Sequence, residues 1–599
     1  MTENLFAGMR DHAVQALADL LPDLDPAILA QVTARVEVTP TRDPAHGDMA
    51  TNAAMVAAKP AGKPPRVLAE AIAARLALLP DVASAEPAGP GFVNLRLSPG
   101  ALLAQIPVIL RAGESYGDAH IGDGIAVNVE YVSANPTGPM HIGHCRGAVV
   151  GDALSSVLVK AGFAVTREYY INDAGGQVQA LAWASYWRYL EAIGSPVTPE
   201  ELDAAAPSGL QYRGEYLIPV GQALYERYGA SLATPELGIA DPALWLAHVR
   251  ELALEMMIAE IREDLGRLGV TFDVFSSEQA LLESGATDTA IAKLQAGGLL
   301  YEGVLEPPRG KTPDDWEPRP QTLFRATDFG DDVDRPLRKS DGSNTYFAND
   351  IAYHTDKIAR GADILIDVLG ADHGGYVSRM KAAVKAASGG RVPLEVVLCQ
   401  IVHVMRNGQP LRMSKRAGTF VTLRDLLEEV SADAVRFTML MRKSDAQMEF
   451  DLDQAMAQTR ENPVFYVQYA HARCRSVLRA AAEMLGAEAA EPAALATADL
   501  APLDDAQELA LIRRLIAWPR LIEGAALARE PHRVAFYLYE LAGEFHMLWN
   551  KGREDTTLRF LQAEDGEGTR ARLALVAATA TVLRSGLAVL GVTPVEEMR

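Results

Sequence analysis

At 599 residues the chain exceeds what one hydrophobic core supports, so three or four domains around a central enzyme-sized one are expected. An apolar share of 49% with 22% charged residues describes a folded globular protein and excludes a disordered or fibrous one. A net charge of −22 argues against a protein that coats nucleic acid non-specifically, because its field repels phosphate, and confines RNA contact to local patches.

From residue 1 to about 110 the pattern is helical with a late strand. That strand follows the turn Gly89-Pro90-Gly91, alternates Val93, Leu95 and Leu97 against Phe92, Asn94 and Arg96, and breaks at Ser98-Pro99-Gly100. An alternating run at Ile125, Val127, Val129 and Tyr131 reads as a strand entering the loop Asn135-Pro136-Thr137-Gly138-Pro139. After His141-Ile142-Gly143-His144, apolar residues at 149, 150, 153, 154, 157 and 158 predict a helix ending near Gly162, and 163–170 reads as the next strand. This is the first half of a doubly wound α/β domain.

A long helical and irregular insertion is expected over roughly 180–320. The run 364–369 resembles a buried parallel strand, with the loop Gly370-Ala371-Asp372-His373-Gly374-Gly375 at its carboxyl end, where such sheets bind ligands. Beyond Pro393 a β-rich run reaches Met405, and Asn407-Gly408 predicts a tight hairpin. From Asn462, an expected N-cap before Pro463, nearly everything is helical. The Ala/Glu-rich stretch 480–501 reads as a surface elaboration.

Three cysteines, Cys145, Cys399 and Cys474, lack the paired spacing of a zinc site or a disulfide framework, which points to the cytoplasm. The start Met-Thr-Glu-Asn-Leu-Phe has no leader pattern, and the apolar run 573–583 is too short to span a bilayer, so no membrane segment is expected.

A helix N-terminus after a strand offers unpaired N–H groups to phosphate, and His141 and His144 add side-chain donors there. Gly143 would let backbone and nucleotide approach closely. Taken alone, the tetrapeptide fits two ordinary loop histidines equally well. The second element is Leu411-Arg412-Met413-Ser414-Lys415-Arg416-Ala417-Gly418, whose cations either form a solvated loop or neutralise charge developing on a triphosphate.

In this order and on either side of a doubly wound sheet, the two motifs resemble the pair that marks class I aminoacyl-tRNA synthetases. Flanking residues resemble the arginyl family: Glu130 to Met140, Tyr169 to Gly175, Leu337 to Gly342, Tyr346 to Asp350 and Asn462 to Arg473. His46-Gly47-Asp48 and Gly89 to Phe92 fit that family's extra domain. Arg412 stands where the signature loop usually has lysine, and Asp433-Ala434-Val435-Arg436 replaces Asp-Ala-Leu-Arg.

The resemblance implies four domains: an N-terminal additional α/β domain recognising the tRNA core (1–110), a Rossmann-like catalytic domain (111–390), a signature-loop region (391–460) and an all-α anticodon-binding domain (461–599). It implies arginine-binding residues Ser133, Asn135, His144, Glu278, Tyr346, Asp350 and His373. ATP would meet Pro136, Gly138, His141, Gly143, His144, Met405, Arg412, Met413, Ser414 and Lys415, with His141, His144 and Lys415 contacting the transition state.

Carboxylates at Asp350 and Glu278 suit the N–H fork of a guanidinium, and the Tyr346 phenol would close the site against water. Without the resemblance, Asp350 also reads as a helix cap and His373 as a turn residue. Tyr466, Tyr469, His471, Arg475 and Arg479 form a candidate tRNA face, against the alternative of a solvated stripe. The partners implied are L-arginine, ATP with Mg2+ and tRNA(Arg), with no protein-bound metal and a monomeric chain. Rivals are a synthetase for cysteine or glutamate, or a non-catalytic RNA-binding paralogue; intact His141, His144 and Lys415 disfavour the last.

Overall fold

The computed structural model describes residues 4–41, 43–305, 319–411 and 421–598. The chain divides into two compact units, one of Met1–Ile121, Lys160–Gly162 and Ala457–Arg599, the other of Gly122–Val159 and Phe163–Met456.

The first unit joins the two ends of the chain. Its N-terminal part is an antiparallel sheet in the order Val38–Pro40, Met49–Thr51, Phe92–Leu97, Val82–Ala88. Val93, Leu95 and Leu97 are buried and Phe92 and Arg96 exposed, the alternation expected for that strand. Gly47 has φ +105°, and a Cβ there would stand 2.6 Å from the Leu95 carbonyl oxygen.

The C-terminal part is built from helices Pro463–Leu485, Ala506–Ile516, Trp518–Ala528, His532–Glu554 and Gly566–Val589. Side-chain hydrogen bonds help fasten it to the N-terminal part. Arg513 Nε donates to Asp48 Oδ1 at 2.5 Å, and Trp518 Nε1 donates to the Tyr116 carbonyl at 3.0 Å.

The structure adds detail to three expectations for this region. The apolar run 573–583 lies in a 24-residue helix that is long and apolar enough to cross a membrane, yet 83% of its apolar window is buried inside the protein. A helix apolar on every side is what a bundle centre requires. The stretch 480–501 is not only surface, since Ala481, Leu495 and Leu500 are buried. Asn462 stands at the N-cap position but makes no cap bond with its side chain, which donates to the Ala457 carbonyl at 2.9 Å.

In the second unit, five strands form one parallel sheet: β1 (Ala126–Glu130), β2 (Ala164–Ile171), β3 (Val274–Ser277), β4 (Ile364–Gly370) and β5 (Leu394–Cys399). Their order is β5-β4-β1-β2-β3, with every pairing parallel. The winding reverses between β1 and β4, so a crevice is expected at their carboxyl ends. Helix α1 (Ile142–Lys160) follows β1 and is buried along most of its length. Gly151 allows the close approach: a Cβ there would fall 2.2 Å from Tyr131 Cγ.

The expected single insertion over 180–320 is divided, because β3 belongs to the sheet. Before it, helices Gly176–Ala192 and Pro242–Arg267 share a core of Trp183, Tyr186, Trp245 and Val249, where Tyr186 stacks on Trp245 at 3.8 Å. After it come helix α2 (Glu278–Glu283) and a small antiparallel sheet, Leu300–Gly303, Gln321–Phe324 and Arg335–Arg338, leading to helix α3 (Tyr346–Ala359). The hairpin Val402–Arg406 to Gln409–Pro410 turns through Asn407 and Gly408 at φ 51° and 68°, both left-handed as a two-residue turn demands.

Candidate active site

β1 ends at Glu130, after which Val132 and Ser133 take φ values of 68° and 40°, a left-handed kink that is strained for non-glycine residues. The kink folds Ser133 back onto the sheet. Its Oγ donates to Glu130 Oε1 at 2.8 Å and accepts from the Tyr170 amide at 3.0 Å. Asn135 is exposed and donates to Gln177 Oε1 at 2.9 Å; Pro136 is buried beside it. The Tyr216 hydroxyl donates to the Thr137 carbonyl at 2.7 Å, and a Cβ on Gly138 would lie 3.2 Å from that phenol.

The His141 and His144 rings stack with centroids 3.9 Å apart at 20°. The Gly143 amide donates to His141 Nδ1 at 3.1 Å, and a Cβ on Gly143 would stand 2.8 Å from His141 Cε1. A side chain here would have to displace the His141 ring, a reason for glycine additional to the nucleotide approach expected from sequence.

Arg412, Met413, Ser414 and Lys415 lie outside the described residues, but their flanks are described. The Leu411 amide donates to the Val404 carbonyl at 2.9 Å; beyond the loop, Thr422 bridges His141 and the Leu423 amide donates to the Met140 carbonyl at 2.8 Å. Half-buried Met405 sits on the strand between Pro410 and Asp451. The carboxyl flank of the second motif thus meets the first motif. Arg146, buried on α1, reinforces the junction by donating to the carbonyls of Gln400, Lys443 and Ala446 at 3.0, 2.9 and 2.7 Å.

Glu278, Asp350 and Asp173 form an acidic cluster. Glu278 opens α2, is buried, and accepts from Asn349 Nδ2 at 3.4 Å. Burial pushes its carboxyl above the usual range, and the negative charges of Asp350 and Asp173 push further. Asp350 lies one turn inside α3, whose N-cap is Thr345, so it is not a cap.

The Tyr376 hydroxyl donates to Asp350 Oδ2, yet desolvation holds this carboxyl too above its ordinary range, with Glu130 and Asp367 adding to the shift. Neither Glu278 nor Asp350 forms an ion pair with a side chain among the described residues. Among the described residues both carboxylates are held by neutral side-chain donors, an arrangement that can accept a cation with several N–H groups.

Beside the cluster runs a buried charge network that sequence reasoning missed. Lys357 of α3 donates to Glu130 Oε2 at 2.5 Å and Asp367 Oδ1 at 3.3 Å. His354 Nε2 is 2.9 Å from Asp367 Oδ2, and its Nδ1 is 2.8 Å from the Asp350 carbonyl. On β2, Glu168 receives Arg360, Asn128, Ser276 and Tyr353. Spacing along the chain carries no trace of these pairs, whose members come from different strands and one helix.

Two expected arginine-binding residues are exposed in this structure. Tyr346 is 75% exposed and closes nothing in this state; the phenol on Asp350 is Tyr376, which sequence reasoning did not single out. His373 is an exposed residue of the turn Ala371–Tyr376, with Nε2 3.7 Å from Asp372. Among the described residues no cluster of three His, Cys, Asp or Glu side chains is arranged to hold a metal ion.

In the first unit, the expected stripe His471, Arg475, Arg479 is engaged by the chain's own C-terminus. His471 is fully buried with Nδ1 2.9 Å from the Val595 carbonyl, Arg475 donates to Glu596 at 2.5 Å, and Arg479 donates to the Glu596 carbonyl at 3.2 Å. Tyr466 and Tyr469 instead join His546, with ring centroids 4.6 and 5.7 Å away, and the Arg473 guanidinium lies over Tyr469 and Trp549. A cavity of about 590 Å³ opens beside them, lined by Arg473, Trp549, Arg553, Arg559 and Phe560 among others.

Class I aminoacyl-tRNA synthetases carry their first motif on a doubly wound sheet of this kind. Residues 105–191 match the family described as tRNA synthetases class I (R), catalytic domain, which puts the chain in that class. Residues 9–97 match the arginyl tRNA synthetase N terminal domain and residues 467–598 the DALR anticodon binding domain. The chain is 62% identical to an arginine–tRNA ligase of Gluconobacter oxydans, over 100% of this chain and 98% of that one. It is 56% identical to the Ruegeria pomeroyi arginine–tRNA ligase over the whole of both. The Thermus thermophilus arginyl-tRNA synthetase structure shares the fold, with a TM-score of 0.73 at 22% identity over 99% of this chain and 100% of that one. The chain belongs to the arginyl-tRNA synthetase family.

Proposed function

We propose that the chain activates L-arginine with ATP to arginyl-adenylate and transfers the arginyl group to the 3′-terminal ribose of tRNA(Arg). The observation that carries the choice of amino acid is the desolvated pair Asp350 and Glu278, whose side chains among the described residues are held by neutral donors. A guanidinium entering between them offers five N–H donors to acceptors that lack a cation, which a lysine ammonium matches less well. Ser133 and Asn135, at the kink after β1, face the amino acid backbone and present its carboxylate to the α-phosphorus of ATP.

In the first step a carboxylate oxygen bonds to the α-phosphorus and pyrophosphate leaves. In the second, a ribose hydroxyl attacks the arginyl carbonyl carbon and AMP leaves. His141, His144 and Lys415 act on phosphate oxygens, with the α1 N-terminus behind them. Mg2+ enters on the phosphates of ATP. Tyr466, Tyr469 and Arg473 supply stacking surfaces for tRNA bases in the C-terminal helices, and the chain works in the cytoplasm as a monomer.

The test is Asp350→Asn, assayed by tRNA-supported ATP–pyrophosphate exchange. Losing one carboxylate of a desolvated pair weakens charged recognition by about 2–5 kcal/mol, so the Michaelis constant for arginine rises at least tenfold while that for ATP holds. An unchanged arginine constant removes Asp350 from the pocket.

A further inference from the structure

The Tyr376 phenol is held from two sides. Its ring meets Phe347 of α3 edge-on at 6.3 Å and 85°, and the Arg379 guanidinium lies 5.1 Å from its centroid. It closes the turn Ala371–Tyr376 directly after β4, at the point where the sheet reverses its winding. A phenol has one proton to give, and it is given to Asp350 Oδ2. That leaves Oδ1 and the remaining lone pairs of the carboxylate for another donor.

We propose that Tyr376 is a positioning residue for arginine recognition: its hydroxyl fixes the Asp350 carboxylate in one rotamer and presents the unoccupied oxygen to the incoming guanidinium. The inference rests on the reading of Asp350 as the guanidinium partner and adds to it a residue that acts through Asp350. A planar fork binds a carboxylate well only when the carboxylate plane is fixed, so the hydroxyl reduces the ordering that arginine must otherwise impose.

Electrostatics point the same way. Asp350 is faced by Glu130 from β1, Asp367 from β4, Glu278 from α2, Tyr170 from β2, His354 from its own helix and Tyr376 from the turn. Burial and the carboxylates push its protonation upward; Tyr376 and His354 oppose them. Without the hydroxyl, Asp350 takes up a proton at higher pH, and a protonated carboxyl cannot pair with a guanidinium.

The experiment compares Tyr376→Phe and Asp350→Asn with the unmodified enzyme in tRNA-supported exchange from pH 5.5 to 8.5. The ring remains in Tyr376→Phe, and circular dichroism checks the fold. A hydrogen bond to a charged group contributes about 1.5–3 kcal/mol, so the arginine Michaelis constant of Tyr376→Phe rises about tenfold or more, exceeding any fall in turnover, with ATP saturation unmoved. The acid limb of its kcat/KM for arginine also moves to higher pH, which a merely structural role for the ring would not produce. If Asp350→Asn weakens arginine use while Tyr376→Phe keeps the constant and the acid limb, the positioning role is overturned and the pocket stands. If Asp350→Asn itself changes nothing, the pocket reading falls, and this inference with it.

Discussion

Replacing Lys357 by methionine removes an ammonium that joins Glu130 of β1 to Asp367 of β4. Its side chain is fully buried, and Glu130 and Asp367, its partners, are nearly so. Burial alone would lower the lysine and raise the aspartate, but their mutual attraction wins: Lys357 is held above its usual range, and Asp367 far below the carboxylate range by Lys357 and His354. Both groups therefore stay charged from pH 5.5 to 7, and the pair contributes equally throughout. In Lys357→Met, Glu130 loses its ammonium and Asp367 is left with His354, a loss of about 3–5 kcal/mol. Uptake of one proton caps the loss: protonating a carboxyl of ordinary pKa near 4 costs about 4 kcal/mol at pH 7 and about 2 kcal/mol at pH 5.5.

Amide hydrogen exchange on Ala126–Glu130 and Ile364–Gly370 reads this locally. Exchange should accelerate by two to three orders of magnitude at pH 7, after correction for the intrinsic rate, and less at pH 5.5, with Lys357→Met/Glu130→Gln regaining much of the protection. Equal protection in variant and parent, or a loss independent of pH, would refute the reasoning.

Lys415→Ala should lower the adenylation rate by about 3 kcal/mol of barrier, roughly a hundredfold, with little change in arginine affinity, because the contact strengthens as phosphate charge redistributes; single-turnover kinetics measure the two separately. His546 gives a pH test in the C-terminal helices. Burial first, then Arg473, pulls it from 6.5 to about 4, so the folded chain keeps it neutral where the unfolded chain is protonated. Its contribution is complete above the unfolded value and is lost as pH falls from 6.5 toward 4, about 3 kcal/mol in all. His546→Gln should flatten that slope in urea midpoints between pH 7 and 4.5; an unaltered slope contradicts the assignment.

Local chemistry made several features legible before the structure. Asn407-Gly408 takes left-handed φ values because a two-residue hairpin turn needs them, and β1, α1 and β4 follow from alternation, helical spacing and an apolar run. β3 was lost inside an apparent insertion because Val274–Ser277 is four residues long and carries no periodic signal of its own. Within the site, Asp350 and Glu278 enter through the family resemblance, as carboxylates that would suit a guanidinium. Tyr376 was not singled out, since only the turn after β4 carries it to α3, 26 residues from Asp350 in sequence. The same limit applies to His471: helical spacing placed it with Arg475 and Arg479, but not the C-terminal segment that covers that face. Packing of Trp518 against Tyr116, about 400 residues away, likewise left no mark in composition.

The central claim is that the acidic pocket selects arginine for activation, and ATP–pyrophosphate exchange across the twenty amino acids tests it most directly. The assay runs with and without tRNA, on the prediction that tRNA shifts the enzyme toward its productive arrangement by binding that arrangement better. Arginine should be the one amino acid that supports exchange, strongly with tRNA and nearly silently without it. Exchange driven as well by lysine, glutamate or cysteine, or none with arginine and tRNA together, would contradict the account.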